Sequence, residues 1–151
     1  MKVFILTPDQ ILASFDADQV ILPTGTGFMG ILNNHYNVHL KLVRGILLIQ
    51  EKSEWSSMAL GEGGAIIQKG YCFETSSKDY IKMPSPDDTC VVILVENAEF
   101  SKNLDPTITH EEYVKAQARL ACATTPKEQI LSELNTARAR VRYQATQTLK
   151  V

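Results

Sequence analysis

From His35 to Leu42 the side chains alternate: Tyr36, Val38, Leu40 and Leu42 are apolar, whereas His35, Asn37, His39 and Lys41 are polar. A two-residue period fits a strand with one wetted face and excludes a helix. That decides the meaning of the glycines just upstream. Gly25, Gly27 and Gly30 follow an apolar run in G-x-G-x-x-G spacing, and Glu51 follows where a ribose-binding acid would stand. A pyrophosphate site of that kind needs a helix to open at the third glycine, because its free N–H groups and dipole hold the phosphates. Asn33, Asn34 and Asn37, whose short amides compete for nearby backbone groups, favour turns instead. The glycines therefore read as positive-φ positions of a tight exposed loop in a β-meander. Pro23 ends the strand before the loop, and residues 30–32 begin the return.

The same reasoning places short strands at residues 3–6, 11–15 and 20–22. Within residues 45–50 the unbroken Ile46-Leu47-Leu48-Ile49 run implies burial on both faces. Residues 55–60 pair back across a turn at 51–54, with Trp55, Ser57 and Ala59 on one face and Trp55 as a core anchor. Gly61, Gly63 and Gly64 suit a bulge or tight turn before a strand at 65–68. A polar stretch with Pro84 and Pro86 then intervenes; it extends a hairpin through 71–73 and 80–83 with its tip at 76–79. Residues 90–95 read as a buried strand.

Residues 97–108 form a polar connector, and beyond it the hydrophobic period changes to that of a helix. Thr109 with Glu112 makes a capping box, and Tyr113, Ala116, Leu120 and Ala123 line one face of the helix that follows. Thr125 with Glu128 makes a second box with Pro126 at the first helical position, so the first helix stops near Ala123. Ile130, Leu134, Ala137, Val141, Ala145 and Leu149 form a narrow seam on the second helix. Two helices joined by so short a turn make a hairpin that buries too little to stand alone and must lean on another surface.

The residues offer little for catalysis. His35 and His39 would project from the same face of a strand, without a Cys or carboxylate to complete a metal shell, and read as turn and surface histidines. Cys72, Cys90 and Cys122 are odd in number and unclustered, which suits reduced thiols. No nucleophile motif is visible, so no catalytic, metal or cofactor residues are expected. No apolar stretch approaches a membrane span, and no targeting segment is evident at the N-terminus. Charge is uneven: residues 1–108 carry 8 basic and 13 acidic side chains, whereas residues 109–151 carry 7 and 4. Arg138, Arg140 and Arg142 form the notable cluster. It fits a solvated helical face or, less well in an acidic chain with few interleaved aromatics, nucleic acid. A free-standing β-domain binding a small ligand or nucleic acid is the alternative class.

Leu6-Thr7-Pro8, Ile21-Leu22-Pro23-Thr24, Gly30-Ile31-Leu32-Asn33-Asn34-His35 and Gly45-Ile46-Leu47 together resemble the epsilon subunit of F-type ATP synthases. The resemblance covers nearly all the chain except an insert at about 71–88. It implies an α+β fold: an N-terminal antiparallel β-sandwich over 1–100, followed by a C-terminal antiparallel two-helix hairpin over 105–151. It also implies a non-catalytic rotor subunit that docks on the gamma subunit and the c-subunit ring, couples proton flow to ATP synthesis, and restrains hydrolysis through its helices. Thr26, Gly27, Phe28, Met29 and Gly30 would face the c ring, and Arg138, Arg140 and Arg142 would contact the alpha and beta subunits. Nucleic acid would not be a partner. Some bacterial members bind ATP through an [I/L]-D-x-x-R-A element; Leu104-Asp105-Pro106-Thr107-Ile108-Thr109 lacks its Arg and Ala, so ATP binding does not carry over. The wording is closest to plastid and cyanobacterial members. That implies peripheral association with the stromal side of the chloroplast thylakoid membrane, the alternative being the cytoplasmic side of a bacterial plasma membrane.

Overall fold

The computed structural model describes residues 1–74, 79–82 and 86–148. In chain order the strands are β1 (Lys2–Leu6), β2 (Ile11–Asp16), β3 (Gln19–Thr24), β4 (Gly27–Leu32), β5 (Val38–Leu42), β6 (Gly45–Glu51), β7 (Glu54–Leu60), β8 (Gly63–Lys69), β9 (Tyr71–Glu74), β10 (Asp79–Lys82), β11 (Thr89–Val95) and β12 (Ala98–Phe100). A 3-10 turn at Ser101–Asn103 leads to α1 (Pro106–Ala121) and α2 (Pro126–Gln147).

Strict alternation makes the core. Val3 and Ile5, Val20 and Leu22, Leu47 and Ile49, Met58 and Leu60, Ala65 and Ile67, and Val91 and Ile93 all point inward to one buried cluster. One sheet follows the order β12-β7-β6-β3-β5-β8-β11-β1-β2, with β4 on β3. It changes layer along β3, which pairs β6 at residues 19–21 and β5 at Thr24. The two ends of the sheet meet where the Phe15 and Phe100 rings pack edge to face at 6.0 Å. A sheet curled on itself in this way holds its interior rigidly.

One pairing departs from the antiparallel expectation. β1 runs parallel to β11, from Lys2 opposite Cys90 to Leu6 opposite Leu94. These strands are far apart in sequence, so no hairpin turn forces opposite directions on them. Pro23 does not end β3 but sits within it, opposite Phe28. Its ring packs where a side chain on Gly45 would stand. Trp55 is not a core anchor: α2 covers its outward row at Ala59 and leaves the tryptophan 38% exposed. Gly63 and Gly64 lie inside β8, not in a turn before it. The β11 backbone passes so close to Gly63 that a Cβ there would strike Leu94 and Val95.

The insert does fold as the hairpin β9–β10, and its root is pinned. Asn37 accepts from the Lys69 N–H at 2.8 Å, Asn33 from the Thr89 N–H at 3.0 Å, and the Gly70 N–H donates to the Asp88 carbonyl. Cys72 lies over the outer apolar patch of Phe4, Cys90 and Val92. Of the expected tip at 76–79, Asp79 opens β10, while residues 76–78, Pro84 and Leu149 lie outside the described residues.

The connector holds β12 and the 3-10 turn, and α1 begins earlier than the capping-box reading places it. Asp105 is the N-cap, accepting from the Thr107 and Ile108 N–H groups at 2.8 and 3.2 Å, with Pro106 at the first helical position. An aspartate before proline is the stronger start signal, and Thr109 is consequently a buried residue of the first turn. The second cap matches its sequence signal: Thr125 Oγ1 accepts from the Glu128 N–H at 3.2 Å. Hydrogen bonds from the Thr124 N–H and hydroxyl, then from the Thr125 N–H, hold the Glu128 carboxyl below its ordinary range.

The contacts of α2 with α1 include residues outside the expected seam, whose Val141 and Ala145 face the sheet. Against α1 the helix presents Thr136 and Tyr143: Thr136 Oγ1 donates to the Ala116 carbonyl at 3.2 Å, and Tyr143 stacks on Tyr113 at 6.3 Å. The row that includes Val141 and Ala145 faces the sheet at Ala59 instead. Followed back toward the helix start, this row is uncovered, leaving Ile130 67% and Leu134 38% exposed.

Candidate interaction surfaces

At one end of the sheet β3 turns into β4 through Gly25 and Thr26. Thr24 Oγ1 donates to the Gly27 carbonyl at 2.5 Å, and Gly27 takes φ +123°, a conformation that L side chains rarely adopt. Neither Gly25 nor Gly30 has a positive φ. The two turn residues avoid positive φ and the residue after them takes it, so of these three glycines Gly27 alone is conformationally required. β4 lies on the edge and alternates: Met29 and Ile31 turn inward, while Phe28 and Leu32 turn outward at 69% and 57% exposure. An edge strand tipped with an uncovered phenylalanine is a surface that gains from a partner. Nearby, the His35 and Tyr36 rings stack at 4.3 Å. Only His39 lies on β5, so the two histidines do not share a strand face.

The arginines separate into two environments. Arg138 and Arg142 line a groove between α1 and α2, together with Lys115 and Arg119. Arg142 is engaged there: its Nε donates to Glu99 at 2.8 Å and its Nη1 to Glu112 at 2.5 Å. One guanidinium thus ties α2 to β12 and to α1. Arg140 lies on another side of the helix, in a groove of about 340 Å³ shared with Thr24, Gly27 and Phe28. Arg44 lines that groove too, but is paired to Glu96 at 2.5 Å. Although burial raises the Glu96 pKa, the hydrogen bond and charge of Arg44 outweigh it and hold the carboxyl below its ordinary value. Sequence reasoning missed Glu96 and Glu99 as partners, and treated Glu112 as a cap. Pairings between residues so far apart in the chain leave no local spacing signal.

Hydrophobic contact between hairpin and sheet is small: Val141 and Ala145 of α2 meet Ala59, flanked by Ile46 and Leu104. Ser57 Oγ adds a hydrogen bond to Ser101 Oγ at 2.6 Å beneath the helix. Among the described residues no group of three or more His, Cys, Asp or Glu side chains is placed to hold a metal, and no helix is long and apolar enough to cross a membrane.

A rigid curled sheet with an uncovered apolar edge and a basic, lightly attached helical arm defines a protein that works through its surfaces. The family described as the ATP synthase, Delta/Epsilon chain, beta-sandwich domain matches residues 1–72. The chloroplastic ATP synthase epsilon chain of Nephroselmis olivacea is 35% identical over 150 residues, covering 99% of this chain and 98% of that one. That of Oltmannsiellopsis viridis is 30% identical over 144 residues, covering 95% of each. The chain belongs to the ATP synthase epsilon-chain family, with the plastid form of the subunit as its match, and is a non-catalytic subunit of the ATP synthase complex. The fold is also that of a chain in the Euglena gracilis mitochondrial ATP synthase (OSCP/F1/c-ring), at a TM-score of 0.71, 16% identity, and coverage of 95% of this chain and 79% of that one. A chain of the Tetrahymena thermophila mitochondrial ATP synthase central stalk and c-ring shares it at a TM-score of 0.54, with 17% identity and coverage of 96% and 95%.

Proposed function

We propose that this chain is a central-stalk rotor subunit of a plastid proton-translocating ATP synthase, seated on the gamma subunit and the c-subunit ring at the stromal side of the thylakoid membrane. End-to-end similarity to chloroplastic epsilon chains, through both sheet and hairpin, is the observation that carries this reading. In it, residues 1–100 act as a torque-bearing domain and residues 105–151 as a movable one. The β3–β4 end, at Thr26, Gly27, Phe28, Met29 and Gly30, faces the ring. The helices restrain wasteful ATP hydrolysis by extending toward the alpha and beta subunits, where Arg138, Arg140 and Arg142 meet acidic surfaces. A curled sheet passes on torque without reactive groups, while an arm held by few contacts changes position at modest free-energy cost. Affinity purification of the tagged chain from thylakoid membranes tests the assignment. Recovery of gamma and c subunits is expected; a chain recovered without either refutes it.

A further inference from the structure

We propose that Arg140 of the packed hairpin forms one wall of the same docking surface as Phe28, and pairs there with a carboxylate on the ring surface that receives the β3–β4 turn. The inference rests on the reading that this turn faces the c ring. Thr24, Gly27 and Phe28 on one side and Arg140, Val141 and Gln144 on the other border a single open groove. Its floor is apolar, with Pro23, Val43 and Ile46. Of its two guanidinium groups, that of Arg44 is already neutralised by Glu96, whereas Arg140 is exposed and has no ion-pair partner among the described residues. An uncompensated cation at the rim of an apolar groove, continuous with an exposed aromatic, complements an acidic group flanked by apolar side chains.

This placement gives Arg140 a role that depends on the hairpin's position. When α2 leaves the sheet, the groove loses Arg140, Val141 and Gln144 together. A ring docked against the complete groove therefore favours the packed hairpin, and by reciprocity hairpin extension weakens docking. Restraint of hydrolysis and grip on the rotor are then linked through one surface.

The test is binding of the full-length chain to a purified complex of gamma with the c ring. Arg140→Gln should weaken binding about two- to fivefold, the worth of one exposed pair. Arg140→Glu should weaken it further, with a shallower dependence on salt. Arg140→Lys should bind nearly as the native chain does, and Lys127→Glu, an exposed cation at the start of α2, should leave binding unchanged. If Phe28→Asp weakens binding while Arg140→Glu does not, the proposal is overturned and the ring-facing turn survives. Equal loss from Lys127→Glu and Arg140→Glu would also overturn it, because general charge would then account for both. If Phe28→Asp and Arg140→Glu both bind as the native chain does, the ring-facing turn and the proposal fall together.

Discussion

On the proposed function Arg142 has two uses that exclude one another, and their separation is measurable. In the packed hairpin its guanidinium holds Glu99 and Glu112; in an extended hairpin the same group would face acidic surfaces of the catalytic subunits. Replacing both glutamates, Glu99→Gln with Glu112→Gln, releases the latch without touching the inhibitory contact. The side chains are one-third to nearly one-half exposed, so each pair is discounted for solvent to ~0.5 kcal/mol, or ~1 kcal/mol together. That moves the packed-to-extended ratio about fivefold toward extension. In a reconstituted soluble complex at low salt, the double glutamate variant should hydrolyse ATP more slowly than the native complex. Arg138→Ala with Arg142→Ala should hydrolyse it faster, because loss of the inhibitory contact outweighs easier release. High salt should draw all three rates together. A glutamate variant that inhibits no more strongly than the native chain refutes the latch. Inhibition undiminished in the arginine variant would reduce those arginines to a solvated face.

Three further outcomes are expected. Phe28→Asp should weaken assembly on the c ring, since burying the exposed ring against a partner is worth ~2 kcal/mol; unchanged co-purification would refute that contact. The isolated chain should show no micromolar binding of NAD, ATP or GTP by calorimetry despite its G-x-G-x-x-G, because a strand, β4, follows the second glycine in place of a helix. The lowered pKa of Glu96 contributes stability that is present above the ordinary value of 4.5 and is lost as pH falls through the depressed folded-state value. The thermal midpoint should therefore drop on acidification below pH 4.5, with a smaller drop in Glu96→Gln; identical pH profiles would show that the Arg44 pair contributes nothing.

The β-fold was legible because apolar runs bounded by turns survive in the sequence, but which face each strand buries was less so. The unbroken 46–49 run, read as buried on both faces, fully buries only Leu47 and Ile49, and 55–60 turns Met58 and Leu60 into the core in place of Trp55. The second helix start was equally plain, since Thr125, Pro126 and Glu128 satisfy each other locally. The parallel placement of β1 against β11 was not legible, as nothing local encodes which distant edge a strand joins. Trp55 misleads for a related reason: alternation tells which face a side chain is on, but not how far along that face the covering helix reaches. The candidate surfaces divide in the same way. The exposed turn at Phe28 follows from its glycines and the strand around them, whereas the Arg142 pairs with Glu99 and Glu112 exist only once three elements have packed.

That division bears on how the hairpin can act as a switch. Had the sheet-facing row of α2 been filled with large side chains along its length, burial at ~25 cal/mol per Å² would have fixed the arm in place. Instead it offers Val141 and Ala145 to a single alanine, Ala59, and leaves Ile130, Leu131 and Leu134 uncovered farther along. The packed arm is therefore held by a small apolar contact and by charge pairs that salt and competing carboxylates weaken, while its exposed leucines and isoleucine can be buried only against something else. On the proposed function both halves of that imbalance favour movement: the packed position is held by few contacts, and a departing helix would carry apolar surface for a second site to cover. Ile130→Ser, at a side chain 67% exposed, should accordingly relieve inhibition of hydrolysis while leaving the melting of the isolated chain unchanged within about 0.5 kcal/mol, the usual range for exposed substitutions. A variant that melts much earlier, or that inhibits as fully as the native chain, would show that this row serves the packed state or no state at all.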